Sequence, residues 1–348
     1  IKTCERDAQE GGTMFRRKLM GMMMAVTLAT TAITGCGNAT GGSSGKGSDA
    51  KIVIYSNADD EAITAMQNAL DNNGYKDKYT FNGFGTSELG GKLLAEGKNI
   101  EADMVTMSTF YLDSAQQQNK MFQKLDFPVK TLDKFGDYAA PITSQEGAII
   151  MNTDLMKKHN LSAPTCLKDL TKKEYKGYLA ITDVKSSSTA WLLMQALISA
   201  YGEKEAQNIL KQIYVNAGDH IEDSGSAPLK LCRAGEVAIG FGLRHQAVAD
   251  KANGQPIDYV DPTEGNFSLT ESVAVIDKGK DTNPLAQKMA QCIIEHGREE
   301  LQKSYPNPLY EGESADAANK STYPKTFSEP LTFELYEKHQ QLSDEVMP

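Results

Sequence analysis

The sequence predicts an α/β protein made of two modules, each a mostly parallel sheet flanked by helices. From about residue 50 onward, short β-rich runs alternate with amphipathic helical patterns, as expected where helices connect parallel strands. The alternation restarts after a middle section, and the 313 residues that follow position 35 are enough for two domains. A second module inserted into the first explains why strand-like runs recur late in the chain.

The first module begins with a buried strand that is followed by an amphipathic helix. Ile63, Met66 and Leu70 recur on one helical face, and Gly74 is suited to end the helix. The next segments repeat this strand and helix order. The segments predicted for this module are the strands 51–56, 78–84 and 102–106 and the helices 59–72 and 87–96.

The second module repeats the alternation, and the chain then returns to the first. The segments predicted here are the strands 147–151, 178–183 and 236–241 and the helices 189–201 and 203–214. A late strand at 272–276, a helix at 284–295 and a final helix at 331–342 follow. We therefore expect one lobe of residues 50–143 and 266–310, another of 144–265 and 311–348, and a hinge between them.

The segment 14–36 has the order of a secretory signal. Arg-Arg-Lys at 16–18 precedes an apolar run, 19–33, that is too short to span a membrane comfortably. Residues 33–36, Ile-Thr-Gly-Cys, resemble the bacterial lipobox, whose cysteine is acylated after cleavage; a plain signal peptide or an uncleaved anchor is the alternative. We interpret 1–13 as upstream translation or an artefact, 14–35 as a lipoprotein signal peptide, Cys36 as the lipidation site and 36–49 as a Gly/Ser-rich tether.

Charge and cysteine content narrow the partners and the chemistry. The chain carries a formal net charge of −10, and the part after residue 35 carries −12, which argues against nucleic acid and against a polybasic membrane contact. Cys166, Cys232 and Cys292 are odd in number and form no CxxC pattern, so we expect buried apolar thiols. No HExxH pattern occurs, and the histidines show no metal-ligand spacing.

Three loops that open helices share one composition. Residues 85–88, 186–189 and 224–228 are rich in Gly, Ser and Thr, and each offers first-turn N–H groups at a positive helix end together with hydroxyls. Each loop follows a strand, and ligands of α/β sheets gather at the carboxyl ends of strands. We therefore expect the loops to form one anion site, although each taken alone also fits an ordinary helix N-cap.

The order of these motifs resembles the type II periplasmic solute-binding proteins, and within them the ferric-iron, phosphonate and sugar-phosphate branch. The resemblance is collinear over about residues 51–310. The segments that carry it are residues 52–56, 85–89, 94–97, 102–105, 174–178, 186–189, 224–226, 234–240 and 261–265.

This resemblance implies a two-lobed type II periplasmic-binding-protein fold whose lobes close on a small solute. The closed form would be what the permease subunits of an ABC importer recognise. The expected protein is a monomeric extracytoplasmic receptor, held on the membrane by the lipid at Cys36, with no cofactor, metal or catalytic residue. A secreted lipid-tethered hydrolase or transferase is the rival from another class, and an interaction protein with a vestigial cleft is a third possibility.

A departure from the ferric-binding members guides the choice of ligand. Those members carry adjacent tyrosines after the strand that corresponds to 238–242, where this chain has Arg244 and His245. A guanidinium cannot ligate a cation, but its fork suits phosphate or phosphonate. We expect 2-aminoethylphosphonate first and a hexose phosphate second, with ferric iron as the runner-up and a polyamine or thiamine-type cation less favoured.

Two sets of residues are predicted to contact this ligand. Asp219, Glu222 and Asp223 are candidates for an amino or hydroxyl group at its far end. Trp191 is predicted to belong to the core rather than to the site. The residues predicted to bind the anionic end are Ser56, Thr86, Ser87, Ser187, Ser188, Thr189, Ser224, Gly225, Ser226, Arg244 and His245.

Overall fold

The structure, a computed structural model, describes residues 51–348, so the predicted signal peptide, Cys36 and the tether lie outside the described residues. Strands and helices alternate through most of this part. The strands are β1 (Ile52–Ser56), β2 (Tyr79–Gly83), β3 (Met104–Ser108), β4 (Ala139–Asn152), β5 (Leu179–Thr182), β6 (Ile221–Glu222), β7 (Ile239–Leu243), β8 (Ile257–Val260), β9 (Asn266–Val275) and β10 (Pro324–Lys325). The α-helices are α1 (Asp60–Leu70), α2 (Thr86–Glu96), α3 (Thr109–Asn119), α4 (Thr153–Lys158), α5 (Ser188–Ala217), α6 (Ala227–Ala234), α7 (Arg244–Ala252), α8 (Leu285–Cys292), α9 (Arg298–Ser304) and α10 (Phe333–Asp344).

The strands form two parallel groups joined by two long antiparallel strands. In the first group, β1 lies parallel between β2 and β3, and in the second, β5 lies parallel between β6 and β7. The complete order is β2-β1-β3-β9-β4-β7-β5-β6, with β10 beside β9 and β8 beside β4. Helices connect the parallel strands, as the sequence predicts, because a parallel pair needs a crossover connection.

Strand β4 passes from one group of strands to the other. Its residues 139–146 pair with β9, whereas residues 147–152 pair with β7 and β8. The partner change thus falls at Glu146 and Gly147, close to the predicted boundary at 143/144. Strand β9 pairs with β3 on its other side, so the two long strands are the only sheet connection between the groups within residues 51–348. The division into the predicted lobe ranges stays a prediction.

The C-terminal helix packs against helices of both groups. The ring of Tyr336 on α10 lies 4.8 Å from that of Trp191 on α5 and 5.3 Å from that of Phe110 on α3. Trp191 is fully buried and its Nε1 donates a hydrogen bond to His339 Nδ1 at 2.8 Å. The prediction that Trp191 belongs to the core is therefore confirmed, and α10 contacts one helix from each group.

The three cysteines of the described part are free thiols in or near the core. Cys232 and Cys292 are buried, Cys166 is half-buried, and all three thiols are free.

Helix α5 joins two predicted helices across Gly202, whose φ of 74° lies in the left-handed region that favours glycine. The sequence prediction of separate helices on either side of this residue is therefore consistent with the structure.

Residues 107–146 differ most from the sequence-based prediction. Helix α3 was not predicted because Phe110, Tyr111 and Leu112 are contiguous rather than spaced along one face, although all three are buried. Strand β4 begins eight residues before the predicted strand at 147–151, since its first half contains Pro141 and the polar run 143–146. A strand that contains buried polar residues does not show the apolar periodicity by which strands are predicted.

Candidate functional site

One cavity of about 420 Å³ lies at the carboxyl ends of the two parallel strand groups. Its wall is strongly polar, and Phe84 is the one aromatic residue among the described lining residues. From the first group the lining residues are Asn57, Ala58, Asp59, Asp60, Glu61, Phe84, Gly85 and Thr86. From the second group they are Ser186, Ser187, Asp223, Ser224, Gly225, Ser226, Lys230 and Arg233, with Gln246 from α7.

The structure brings the three predicted loops to this cavity. Thr86 begins α2, Ser187 is the N-cap of α5, and Ser226 is the N-cap of α6. The first N–H groups of a helix have no acceptor within the helix, so these ends together with the hydroxyls suit an anion. Their convergence agrees with the predicted position of the site, while the binding of a solute by these residues stays a prediction.

Gly225 allows the second and third loops to approach each other. A Cβ at this position would lie 2.1 Å from Thr189 Oγ1 and 3.0 Å from Ser187 Oγ. Thr189 itself is buried and does not line the cavity, and Ser188 is buried as well. These two residues, which were predicted to contact the solute, therefore lie beneath the residues that line the cavity, because the first turn of α5 directs their side chains into the interior.

Two other predicted residues have hydroxyls that are occupied by the protein. Ser56 is fully buried, and its Oγ accepts hydrogen bonds from Thr106 Oγ1 at 2.7 Å and from the backbone N–H of Ala58 at 3.1 Å. Ser87 Oγ donates to the carbonyl of Lys185 and accepts from Gln340 Nε2. Ser56 thus fixes the loop after β1, and Ser87 links α2 to the loop before α5.

Arg244 lies outside the cavity, which corrects the expectation that it binds the anion. Its side chain is 5% exposed, and its Nε and Nη2 donate to the carboxylate of Asp261 at 2.7 and 3.2 Å. Two further donors reach the carbonyls of Ala318 and Lys320 at 3.0 and 3.1 Å. Four of the five N–H donors of the guanidinium are therefore used in holding the segment after α9 against the end of β8.

His245 also lies outside the cavity. Its ring packs on that of Tyr305, with centroids 4.6 Å apart, and its Nδ1 is buried without a hydrogen bond partner among residues 51–348. Burial lowers the pKa of this imidazole to about 3, so it is neutral at physiological pH. A neutral ring that does not line the cavity offers no positive charge to an anion there.

The carboxylates that line the cavity were only partly predicted. Asp223 lines it and accepts a hydrogen bond from Ser186 Oγ at 2.9 Å, whereas Asp219 and Glu222 are not among the lining residues. Asp59, Asp60 and Glu61 at the start of α1 were missed because acidic residues are common in a first helical turn. These three residues directly follow β1, just as the Ser/Thr-rich loops directly follow other strands. This position is the feature of the sequence that could have identified them as part of the site.

The basic residues of the cavity differ in how they are paired. Arg233 donates to both carboxylate oxygens of Asp250, at 2.5 Å from Nε and 2.8 Å from Nη2, so much of its charge is compensated. Lys230 forms no side-chain hydrogen bond or ion pair within the described residues, although its charge acts on Asp59. Lys230 is therefore the cation best placed to meet an anionic solute.

Two buried carboxyl groups adjoin the cavity at the side of β1. Burial, and next the carboxylate of Glu61, raise the pKa of Asp59 to about 6. Burial, and next the carboxylate of Asp59, raise the pKa of Glu271 on β9 to about 8. The two groups interact, so they titrate as a pair rather than independently. At physiological pH this pair carries close to one negative charge.

Comparison with known proteins identifies the family. Residues 45–296 match the family model described as bacterial extracellular solute-binding protein. The cavity lies at the carboxyl ends of the strands, where ligands of α/β sheets bind. Because the match covers most of the chain, the chain belongs to the family of bacterial extracellular solute-binding proteins.

Relatives and solved structures agree with this assignment. An uncharacterized protein of Haemophilus influenzae is 27% identical over 298 residues, 82% of each chain. The spermidine/putrescine-binding periplasmic protein of Escherichia coli is 29% identical over 197 residues, which span 51% of this chain and 55% of the relative.

Solved periplasmic binding proteins share the fold. AfuA of Actinobacillus pleuropneumoniae with fructose-6-phosphate bound has a TM-score of 0.67 at 21% identity, over 86% of this chain and 98% of its own. Iron-bound HitA of Pseudomonas aeruginosa has a TM-score of 0.66 at 18% identity, over 85% and 99%. The type II fold is thereby confirmed, and the chain is a solute-binding protein of an ABC importer. Within residues 51–348, no helix is both long enough and apolar enough to cross a membrane.

We expect Arg244→Ala to reduce stability more than solute binding. The substitution leaves the carboxylate of Asp261 buried without its main partner, which costs about 3 kcal/mol of unfolding free energy. Denaturant titration measures this loss, and calorimetry well below the unfolding transition measures solute affinity. Arg244→Lys is the matched control, because it keeps the positive charge but lacks the pair of N–H donors that binds both oxygens of Asp261. Wild-type stability combined with weakened solute binding would restore the original prediction for Arg244.

We expect Glu271→Gln to stabilise the protein at higher pH. The folded-state pKa of Glu271, about 8, exceeds its ordinary value of 4.5, so the folded state binds more protons between these values and wild-type stability falls as the pH rises through this range. The variant lacks this loss. Its advantage in denaturant titrations should be near zero at about pH 4.5 and reach on the order of 3 kcal/mol at about pH 8. Exposed Glu88→Gln is the control, and a pH-independent difference would contradict the assignment.

Proposed function

We propose that the protein is the lipid-anchored receptor of an ABC importer for a small anionic organophosphorus solute, which carries a phosphonate or phosphate group at one end and an amino or hydroxyl group at the other. The preferred solute is 2-aminoethylphosphonate, and a hexose phosphate is second. One observation carries this choice. A single cavity joins three Ser/Thr-rich helix ends and Lys230 to a cluster of carboxylates at the start of α1.

The anionic end of the solute fits the helix ends. A tetrahedral anion accepts several hydrogen bonds at once, and the first turns of α2, α5 and α6 supply donors that the fold has already oriented. Thr86, Ser187 and Ser226 add hydroxyls at the same ends, and Lys230 adds a full positive charge. Donors that need no reordering lose little entropy on binding, which favours affinity for this class of anion.

The amino end of the solute fits the first turn of α1. Asp59, Asp60 and Glu61 line the cavity there, and Asp223 lies on the opposite wall. Burial, and next the neighbouring carboxylate of Glu61, raise the pKa of Asp59, and an ammonium group of the solute would favour its charged form. Carboxylates opposite hydroxyl-rich helix ends thus distinguish the two ends of a zwitterion.

Outside the organophosphorus class, a polyamine is the second candidate class of solute, supported by the same carboxylates and by the name of the Escherichia coli relative. Lys230 in the wall opposes a purely cationic solute, and the N-terminal ends of α2, α5 and α6 oppose it as well. Ferric iron has less support, because a hard ferric ion prefers phenolate and carboxylate oxygens and no tyrosine is among the described lining residues. A ligand screen should therefore contain all three classes.

Calorimetry with the mature protein tests the solute class. We expect 2-aminoethylphosphonate to bind more tightly than ethylphosphonate, which lacks the amino group, and we expect putrescine and ferric citrate to bind weakly. Ser187→Ala and Ser226→Ala should each cost about 1 kcal/mol or somewhat more, as the loss of a hydrogen bond to a charged group does. Asp59→Asn should reduce the preference for the amino compound.

The control for these variants is Ser162→Ala, whose side chain is exposed and is not among the lining residues. Tight putrescine binding with no phosphonate binding would replace the first candidate by the second. Turnover of a phosphonate or phosphate ester by the protein would instead support the enzyme alternative.

Lipid anchoring rests on the lipobox-like residues 33–36 and is part of the proposal. Two acyl chains on a diacylglyceryl group, together with an N-acyl chain where present, anchor a protein stably, whereas a single chain is marginal. We expect the wild-type protein in the membrane fraction and Cys36→Ala either released or left unprocessed. Cys166→Ala, in the folded part, is the matched control. A Cys36→Ala protein that is processed and anchored like the wild type would contradict the lipobox interpretation.

A further inference from the structure

A row of buried polar side chains lies behind the cavity wall formed by Asn57 and Asp59. Ser108 on β3, Glu271 on β9 and Thr143 on β4 are paired residues of three adjacent strands, so their side chains share one face of the sheet. Ser108 and Thr143 are fully buried, and Glu271 is 5% exposed. Polar side chains at this depth need hydrogen bond partners within the protein.

One of these polar atoms has no partner as long as Glu271 is a carboxylate. Asn57 Oδ1 is shielded from solvent and forms no hydrogen bond within residues 51–348, and the Asn57 side chain interacts with Glu271. The Thr143 hydroxyl can donate to Glu271 whether the carboxyl group is protonated or not. The amide of Asn57 is oriented by its other atom, since Asn57 Nδ2 donates to Thr86 Oγ1 at 3.0 Å. Asn57 Oδ1 therefore lacks a donor, and solvent cannot supply one.

A neutral carboxyl group at Glu271 supplies what is missing. A carboxylic acid has one O–H donor and keeps acceptor capacity, whereas a carboxylate only accepts. Only the acid can donate to Asn57 Oδ1, which satisfies this atom, while its other oxygen still accepts from Thr143 Oγ1. Burial, and next the Asp59 carboxylate, raise the pKa of Glu271 to about 8, so the acid form prevails at physiological pH.

We propose that Glu271, as a neutral carboxylic acid, orients the hydroxyl of Thr86 toward the solute through the side chain of Asn57. The chain of donors runs from Glu271 O–H to Asn57 Oδ1, from Asn57 Nδ2–H to Thr86 Oγ1, and from Thr86 O–H into the cavity. Thr86 contacts the anion, and Glu271 and Asn57 are positioning residues. This inference rests on the proposed function, since it assigns Thr86 as a donor to an anionic solute.

Loss of the Glu271 proton reverses the chain. A carboxylate attracts the Asn57 N–H groups, so the amide turns and presents Oδ1 to Thr86. The Thr86 hydroxyl then donates to Asn57 and offers only lone pairs to the cavity, where an anion is repelled. One protonation event on a residue outside the cavity thereby changes a donor of the cavity into an acceptor.

The charged and titratable groups around Glu271 must be considered with it. Asp59 faces it from the start of α1, and Tyr305 lies close enough for Glu271 to act on its hydroxyl. Lys230 and Glu61 act on Asp59 and so affect Glu271 indirectly. Because Asp59 ionises below Glu271, it is already charged over the range in which Glu271 titrates, and its charge favours the neutral form of Glu271.

The first test compares solute affinity at about pH 7 and about pH 9.5 by calorimetry with 2-aminoethylphosphonate. We expect wild-type affinity to fall roughly tenfold more than that of Glu271→Gln between these values, because the glutamine keeps an N–H donor to Asn57 Oδ1 at every pH. Ionisation of the solute itself is common to both proteins and cancels in the ratio. Equal pH profiles for the two proteins would overturn the proposal.

The second test isolates the Thr86 hydroxyl. Thr86→Val, which replaces the hydroxyl by a methyl group, should weaken binding by roughly 10-fold or more, whereas Thr86→Ser should retain most of the affinity. Asn57→Ala should weaken binding in wild type and have little further effect in Thr86→Val, since both changes remove the same donor. Additive losses in the double variant would contradict the chain.

A ligand-free measurement separates this inference from the solute assignment. In infrared spectra of the apo protein near neutral pH, the C=O stretch of a protonated carboxyl group should disappear in Glu271→Gln and move to higher frequency in Asn57→Ala, which removes the acceptor of the acid proton. If no organophosphorus solute binds but the band behaves in this way, the proposed solute is wrong and the Glu271–Asn57 link stands. A band that is absent from wild type, or unchanged in Asn57→Ala, overturns the link whatever the solute is.

Discussion

The direction of the parallel strands is the constraint on which the site depends. Strands β1 and β2 of one group, and β5 and β6 of the other, all end at the same cavity. Each loop there is followed by a helix, so the positive ends of α1, α2, α5 and α6 all meet at this cavity. The two antiparallel strands β4 and β9 hold the groups together, and a site made from both groups requires their pairing.

The four helix ends are not equivalent, and the difference gives the cavity two signs of charge. Asp60 and Glu61 place carboxylates at the positive end of α1, where the helix dipole already favours negative charge. The other three helices follow uncharged N-cap residues, which are Gly85, Ser187 and Ser226. Since the fields of the two regions oppose each other, a solute with separated charges is oriented in the cavity, and a solute of one sign meets repulsion at one end.

Much of the fold could be predicted from the sequence because β1 and β5 are apolar and β1 is followed by a helix, α1, with one apolar face. The three Ser/Thr-rich loops could be located for the same reason. Residues 139–146 could not, since Thr143 and its neighbours are polar and buried, which no hydrophobic pattern reveals. Arg244 was misassigned because its partner Asp261 is distant enough along the chain that a sequence cannot show whether an arginine is already paired.

The two groups also meet beside the cavity through a polar contact. Ser87 Oγ, at the start of α2, donates to the carbonyl of Lys185 in the loop before α5, a neutral hydrogen bond worth about 1 kcal/mol. Because this direct contact is weak, a solute that accepts several hydrogen bonds from both walls of the cavity connects the two groups more strongly than the protein does there by itself.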